Sequence, residues 1–383
     1  MMQLRPFQAE TLRAMSAPVS KQNHIICVAP TGSGKSLIYE RAAAEGHRRT
    51  VLVTPLVALA RQQFEKLKKL NIPVTLGAGV TGKKIPPPQS GAWIISPEIL
   101  NFPGAQARLR EWQPNLLVVD ECHCLWEWGE NFRPAFTLVP RLLSDHAIPH
   151  SLWLTATLPF PARLQLRKIL PPPLIELGKF DLPARLQLFI RRVGWENRTE
   201  SLIQWVFQRS GAGIIFVSTR EATLRIARLL TATGKRVVAY HGGMSSEERK
   251  NIENQVLRKI PEVIVATSAF GMGMDYSYLN FVVLFQAPTS ILSLVQTIGR
   301  VGRSEEKHGE ALVFWDTEDF RLLEWTVQNS TKRRQEIQEL YDFVNSNKCR
   351  RHTLKTYFDR SSQDSSVIHI PCNSCDFCLK LFH

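Results

Sequence analysis

The chain has 383 residues, 44% of them hydrophobic and 21% charged, which is ordinary globular usage with length enough for two or three domains. Lys and Arg number 48 against 34 Asp and Glu, a net charge of +14, and such a surplus favours an anionic partner, either nucleic acid or a membrane surface. No apolar run approaches the roughly 18 residues that cross a bilayer, and the opening MMQLRPFQAE has no signal-peptide core, so composition argues against a membrane span and against standard secretion.

In chain order, short apolar β runs alternate with amphipathic stretches, the pattern of α/β architecture with parallel sheets. Strands are expected at His24–Ala29, Thr50–Thr54, Ala92–Ser96, Asn115–Asp120 and Leu152–Thr155. Pro171–Pro173 interrupts the rhythm, and Leu174–Arg185 reads as a connector of mixed polarity. The rhythm resumes with expected strands at Gly213–Ser218, Arg236–Tyr240, Val263–Thr267, Phe281–Phe285 and Glu310–Trp315. We therefore expect one α/β lobe over 1–180, a second over 181–325, and a distinct tail over 326–383. The tail loses the strand rhythm, begins with a polar helix-like stretch, and carries eight Lys or Arg against four Asp or Glu over 331–360. Such a run is usually a solvated face; the whole-chain excess shifts the reading towards a phosphate-facing surface.

The strongest local pattern is Ala29-Pro-Thr-Gly-Ser-Gly-Lys-Ser36, after a predicted strand and before a predicted helix. Glycines allow the backbone to wrap phosphates with its N–H groups. Thr31, Gly32, Ser33 and Gly34 would form the cradle, Lys35 would reach the terminal phosphates of ATP, and the Ser36 hydroxyl would hold Mg²⁺. Ala29 stands where the common form of this pattern has its first Gly. An apolar strand then delivers Asp120-Glu-Cys-His123 at its C-terminal end, where open parallel sheets bind ligands. Adjacent carboxylates after a strand are more often a cap or loop, but with a phosphate loop 85 residues upstream they read as catalytic. Asp120 would hold Mg²⁺ and Glu121 would orient and deprotonate the attacking water.

APTGSGKS, DECH, Thr155-Ala-Thr157, Phe270–Asp275 (FGMGMD) and Gln296-Thr-Ile-Gly-Arg-Val-Gly-Arg303 together resemble the ordered motifs of a superfamily 2 helicase, and more narrowly the RecQ family of DNA helicases. The resemblance runs from Leu4 to about Cys378. It implies two RecA-like parallel-sheet lobes followed by a small helical zinc-binding module. It implies that Gln8, with Arg5 nearby in Leu4-Arg-Pro-Phe-Gln8, selects ATP. It further implies that Gln296, Arg300 and Arg303, from the second lobe, respond to the γ-phosphate, the planar guanidinium forks suiting phosphate contact.

Cys124–Phe136 holds four aromatics in thirteen residues, and bases stack on aromatic faces without regard to sequence. A small hydrophobic cluster under a loop is the plain alternative. The segment looks like the aromatic-rich loop of RecQ proteins, which nominates Trp126, Trp128, Phe132 and Arg133 as DNA contacts. Trp126 stands where the family usually has a small polar residue, and Glu130 where it usually has His. Tyr240-His-Gly-Gly-Met244 is similar to a second-lobe motif lying along the single strand, so His241 joins the DNA set. Cys349, Cys372, Cys375 and Cys378, spaced C-x22-C-x2-C-x2-C, can supply four thiolates to tetrahedral Zn²⁺, with disulfides as the alternative. Cys27, Cys122 and Cys124 read as buried or incidental thiols.

The expected function is an ATP-dependent DNA helicase, with 3′→5′ polarity implied by the family, acting on single-stranded and forked DNA with ATP, Mg²⁺ and Zn²⁺. Alternatives are a DNA-stimulated translocase with weak unwinding and a non-enzymatic zinc-stabilised nucleic-acid-binding protein. A DEAD-box-like RNA helicase fits TAT, DECH and the cysteine tail less well. Many RecQ proteins continue into a winged-helix domain, whereas this chain stops five residues after Cys378. The expectation is a truncated chain or a minimal member. Its location would be cytoplasmic and nucleoid-associated in a bacterium, or nuclear in a eukaryote.

Overall fold

A computed structural model describes residues 4–16, 22–77, 87–128, 133–270, 278–303, 308–327, 330–359 and 371–380, with Trp128 described by its backbone alone. The chain divides into two compact units, Met1–Asp181 and Leu182–His383.

In the first unit, β1 (Asn23–Val28), β2 (Arg49–Val53), β3 (Val74–Leu76), β4 (Gly91–Ile95), β5 (Leu116–Val119), β6 (His150–Thr155) and β7 (Leu174–Gly178) form one sheet in the order β3-β4-β2-β5-β6-β1-β7. Every pairing in it is parallel. β1, β4, β5 and β6 are buried along their whole length, as strands covered by helices on both faces must be. One face packs Ile25, Cys27, Leu52, Ile94, Val118, Leu152 and Leu154 against Ile38, Tyr39, Ala42, Ala60 and Leu67 of the crossover helices Ser36–Ala44 and Val57–Lys69.

The order brings β5, β6 and β1 side by side. Their C-terminal ends carry, respectively, Asp120-Glu121, Thr155-Ala-Thr157 and the Ala29–Ser36 loop. Three motifs far apart in sequence thus converge on one edge of one sheet.

In the second unit, β8 (Leu186–Arg192), β9 (Ala212–Phe216), β10 (Val237–Tyr240), β11 (Val263–Ala266), β12 (Leu279–Leu284) and β13 (Gly309–Trp315) form a sheet in the order β10-β11-β9-β12-β13-β8, again parallel throughout. The polar stretch expected to be helical forms the helix Thr331–Asn345, and a further helix spans Arg350–Asp359. Both belong to the second unit.

All ten strands expected from the sequence are present, each within two residues of its expected bounds. The reading of Leu174–Arg185 as a connector is corrected: its first five residues are β7, paired in parallel with β1. β7 is an edge strand, half-buried over most of its length, and its Glu176 faces Arg163 and Arg167. An edge strand with a paired charge lacks the continuous apolar run that marked the central strands.

Candidate active site and metal centre

The phosphate loop takes its shape from two glycines with positive φ, Gly32 (75°) and Gly34 (81°). The positive φ at Gly34 calls for glycine, and a Cβ there would lie 2.8 Å from Gln8 Nε2 and displace that amide. Gln8 is buried, and its amide is used at both ends. Nε2 donates to Gly34 O at 2.8 Å and to Ser33 O at 3.3 Å, while Oε1 accepts from the Arg5 backbone N–H at 2.9 Å. Lys35 Nζ donates back to Ala29 O (2.9 Å) and Pro30 O (3.2 Å). The ammonium thus sits within the ring of the loop, where incoming phosphate oxygens would replace the carbonyls as its acceptors.

Asp120 and Glu121 follow β5 directly. Glu121 has φ of 50°, a left-handed conformation uncommon for residues other than glycine, and it turns the chain sharply off the strand end. The Glu121 N–H donates to Asp120 Oδ1 at 3.0 Å, and Gln63 Nε2 donates to Asp120 Oδ2 at 2.7 Å. Burial and the adjacent Glu121 carboxylate push Asp120 up to about 6, against the opposing pull of Lys35 and these two hydrogen bonds. Two crowded carboxylates, one of them lifted this far, fit a divalent cation whose charge would relieve them. Ser36 Oγ is the matching neutral oxygen of the loop, and it accepts from Lys66 Nζ at 3.0 Å.

His123 joins the carboxylates to the third motif. Its Nδ1 lies 3.0 Å from Thr155 Oγ1 and 3.3 Å from Glu121 Oε2. The Thr155 hydroxyl is itself held by Thr157, donating to its carbonyl at 2.9 Å and accepting from its N–H at 3.1 Å. Burial pulls the imidazole down, but Cys124 and Glu121 beside it outweigh burial and hold it well above its ordinary value. Burial raises the Cys124 thiol in turn. Cys27, Cys122 and Cys124 are all buried free thiols.

Of the residues expected to meet DNA, Phe132 lies outside the described residues, as do Gly271–Asp275 of the FGMGMD motif. Trp126 is half-buried on the short helix Cys124–Trp128. Arg133, nominated as a DNA contact, is engaged within the protein. Its Nε and Nη2 meet Glu98 Oε1 at 2.8 and 2.6 Å, Nη1 donates to Pro55 O, and the guanidinium carbon lies 5.0 Å from the Phe136 ring centroid. A partner 35 residues upstream carries no linear signal, so the sequence could not show this tie.

In the second unit, Gln296 lies on the helix Ile291–Ile298, which Ser290 caps by accepting from the Ser293 N–H at 3.1 Å. The guanidinium carbon of Arg300 is 5.5 Å from the Phe216 ring centroid, and Arg303 Nε donates to Gly299 O at 2.8 Å. Between them Gly302 has φ of 72°, and a Cβ there would meet the Leu186 backbone at 2.9 Å, so the turn can hug β8 only as glycine. His241 is half-buried, with its backbone N–H directed at Met244 Sδ.

The four tail cysteines converge. Their Sγ atoms all lie within 4.8 Å of one another, compatible with a ZnS₄ tetrahedron, whose S–S edges are about 3.8 Å for Zn–S bonds of about 2.3 Å. Cys372 and Cys375 Sγ are 3.5 Å apart and every cysteine is free, so the disulfide alternative is not what the chain adopts. The knuckle is fastened to the edge of the second sheet. Leu188 of β8 donates to Ser374 O at 2.9 Å and accepts from Asp376 N at 3.0 Å. Beneath it Arg350 forms a buried ion pair with Asp376, Nη2 to Oδ2 at 3.0 Å, and also donates to Phe343 O and Ser346 O. Arg351 donates to the carbonyls of Leu182, Pro183 and Leu186. The basic run of the tail is therefore partly structural: these two arginines bind protein, not phosphate.

Among the described residues no helix is long and apolar enough to cross a membrane. Comparison with known proteins agrees with the site. Residues 5–164 match the DEAD/DEAH box helicase family, 197–305 the helicase conserved C-terminal domain, and 317–379 the RecQ zinc-binding family. The chain is 30% identical to the ATP-dependent DNA helicase RecQ of Pasteurella multocida over 92% of its own length and 57% of that protein's. It is 29% identical to the same-named protein of Haemophilus influenzae, over 95% of this chain and 60% of the other. It thus spans somewhat under two thirds of these relatives. In fold it is similar to S. cerevisiae Dbp5 bound to RNA and ADP BeF3, with a TM-score of 0.60 and 18% identity over 88% of this chain and 97% of that one.

Proposed function

Because the chain belongs to the RecQ family of helicases, we propose that it is an ATP-dependent DNA helicase that moves 3′→5′ on single-stranded DNA and opens forked duplexes. The observation that carries the reading is the convergence of Lys35, Asp120-Glu121 and Thr155 at the ends of three adjacent strands.

Phosphoryl transfer needs positioning and charge neutralisation rather than covalent help. The Ala29–Ser36 backbone cradles the phosphates and Lys35 exchanges its loop carbonyls for phosphate oxygens. Ser36 and Asp120 are the groups that would hold Mg²⁺, which when bound neutralises phosphate charge. Glu121 takes the proton of the attacking water. His123, held by Thr155, fixes the Glu121 carboxylate and ties the base to the strand end next door. We assign Gln296, Arg300 and Arg303 to the response to the γ-phosphate. Trp126, Trp128 and Phe132 are assigned to base stacking, His241 to contact with the strand, and Cys349, Cys372, Cys375 and Cys378 to one zinc. Arg133 is better read as the anchor of the aromatic loop than as a phosphate contact. The setting is wherever cellular DNA lies, the nucleoid of a bacterium or the nucleus of a eukaryote.

The test is unwinding of forked duplexes with a 3′ or a 5′ single-stranded tail, alongside ATP turnover with single-stranded DNA, RNA or no polymer. The expected result is DNA-selective stimulation and opening of the 3′-tailed fork. Turnover indifferent to DNA would overturn the proposal. Stimulation without strand separation would reduce it to translocation.

A further inference from the structure

The helix Val57–Lys69 leaves the C-terminal end of β2 and runs beside the cation site. Two of its side chains, one turn apart, reach the two oxygens assigned to Mg²⁺. Gln63 donates to Asp120 at 2.7 Å, and Lys66 donates to Ser36 at 3.0 Å. Lys66 also pairs at 2.5 Å with Glu40, a carboxylate only 5% exposed on the helix that begins at Ser36. Ser36 and Glu40 are four residues apart, on one helix face, so a single ammonium bridges both.

We propose that Lys66 sets the cation affinity of the nucleotide site, with Glu40 as its counter-charge; this rests on the reading of Ser36 as a Mg²⁺ ligand. A hydroxyl offers two acceptor positions, and Lys66 holds one of them. An arriving cation must share Ser36 with a fixed positive charge. Glu40 draws the ammonium aside and screens it. Removing Lys66 eases cation binding and exposes the attraction of Glu40. Removing Glu40 alone leaves the ammonium unopposed and hinders binding. Removing both charges brings the site back near its starting point. Lys66 is thus a positioning residue, acting on the cation through Ser36.

The experiment uses the full chain and a fluorescent N-methylanthraniloyl-ADP, titrated with Mg²⁺ at fixed ionic strength, with melting temperatures measured in EDTA. Lys66→Gln should lower the half-saturating Mg²⁺ concentration by about two- to fivefold, the range for partly exposed charges. Glu40→Gln should raise it by a similar factor, and the double variant should return close to the parent. All differences should shrink at high ionic strength. Nucleotide binding in EDTA should be unchanged by Lys66→Gln. Unchanged Mg²⁺ dependence in both single variants, with only lowered melting temperatures, would make the pair a structural tie and overturn the proposal. Weakened binding in EDTA would overturn it differently, by making Lys66 a phosphate contact. Ser36→Ala separates the underlying reading: parental Mg²⁺ dependence in that variant would show that Ser36 is not a ligand at all.

Discussion

His123 Nδ1 lies 3.0 Å from Thr155 Oγ1 and 3.3 Å from Glu121 Oε2. One imidazole therefore connects the proposed water-activating carboxylate on β5 to the end of β6. Glu121→Gln keeps the size and one hydrogen bond but removes the base. ATP should still bind, and hydrolysis should fall by roughly 10²–10⁴-fold. Thr155→Val removes the hydroxyl that meets His123 and the Thr157 backbone, bonds worth about 0.5–1.5 kcal/mol each. It should cut turnover by no more than about tenfold. Near-parental hydrolysis by the Gln variant in a steady-state assay would refute the role of Glu121.

The tie from Arg133 to Glu98 and Pro55 fixes one end of the aromatic loop to the turns following β4 and β2. The pair is partly exposed, so Glu98→Gln should change stability by at most about 1 kcal/mol. It should nevertheless reduce DNA-stimulated ATP turnover severalfold, leaving the basal rate near that of the parent. Trp128→Ala should show the same split, through loss of stacking worth about 1–3 kcal/mol per base. Measuring both rates with the melting temperature decides the matter. A fall in basal rate and melting temperature together would instead mark these residues as core.

The zinc module depends on more than thiolates. Purified protein should contain one zinc per chain by elemental analysis, and Cys375→Ser should be poorly soluble, since so small a tail cannot fold without its metal. Asp376→Ala leaves Arg350 buried without its counter-charge, a change that costs about 3–5 kcal/mol. Its urea midpoint should drop accordingly, although all four cysteines remain. A variant with parental stability would show that the ion pair does not fasten the knuckle to β8.

The legible parts of the molecule were those written in consecutive residues. Buried parallel strands are unbroken apolar runs, and the phosphate loop, Asp-Glu pair and cysteine knuckle each fit within eight residues, so pattern and chemistry coincide. Gln63, Lys66, Glu98 and Asp376 were silent because each acts on a partner 26 to 57 residues away. Only the folded chain brings those pairs together. β7 escaped for a related reason: its hydrogen bonds come from β1, about 150 residues earlier in the chain, and its own sequence carries a charge. The arginines of the tail misled in the opposite direction, since composition counts charge without showing which charges are already paired.

His150, at the opposite end of the first sheet from the nucleotide motifs, is lowered to about 4 by burial, with the nearby Arg48 and His24 charges adding to the effect. The folded chain therefore binds fewer protons here than the unfolded chain, whose imidazole titrates near its ordinary value of 6.5. Stability is full above pH 6.5 and declines as the pH falls toward about 4. His150→Gln, uncharged throughout, should lose less of its melting temperature over that interval than the parent does. Comparing the two in identical buffers cancels zinc loss at low pH. Parallel curves would mean that His150 does not contribute to acid sensitivity.

Gln8 presents two readings that a pair of substitutions separates. As an adenine selector its Oε1 would accept from the base, and a glutamate would retain that acceptor. As observed, its Nε2 donates to Gly34 O and Ser33 O, and a glutamate would put a carboxylate oxygen against two carbonyls. The structural role therefore ranks the variants parent, then Gln8→Ala, then Gln8→Glu, both in melting temperature and in affinity for fluorescent ADP and GDP alike. Alanine forfeits bonds worth about 0.5–1.5 kcal/mol each, whereas glutamate adds repulsion to that loss. Selection of the base alone gives the reverse order, with glutamate above alanine and only the adenine nucleotide affected. We expect the first ranking, because the amide is already committed to the loop; the second, measured by equilibrium titration, would show that nucleotide binding redirects Gln8 from the backbone to the base.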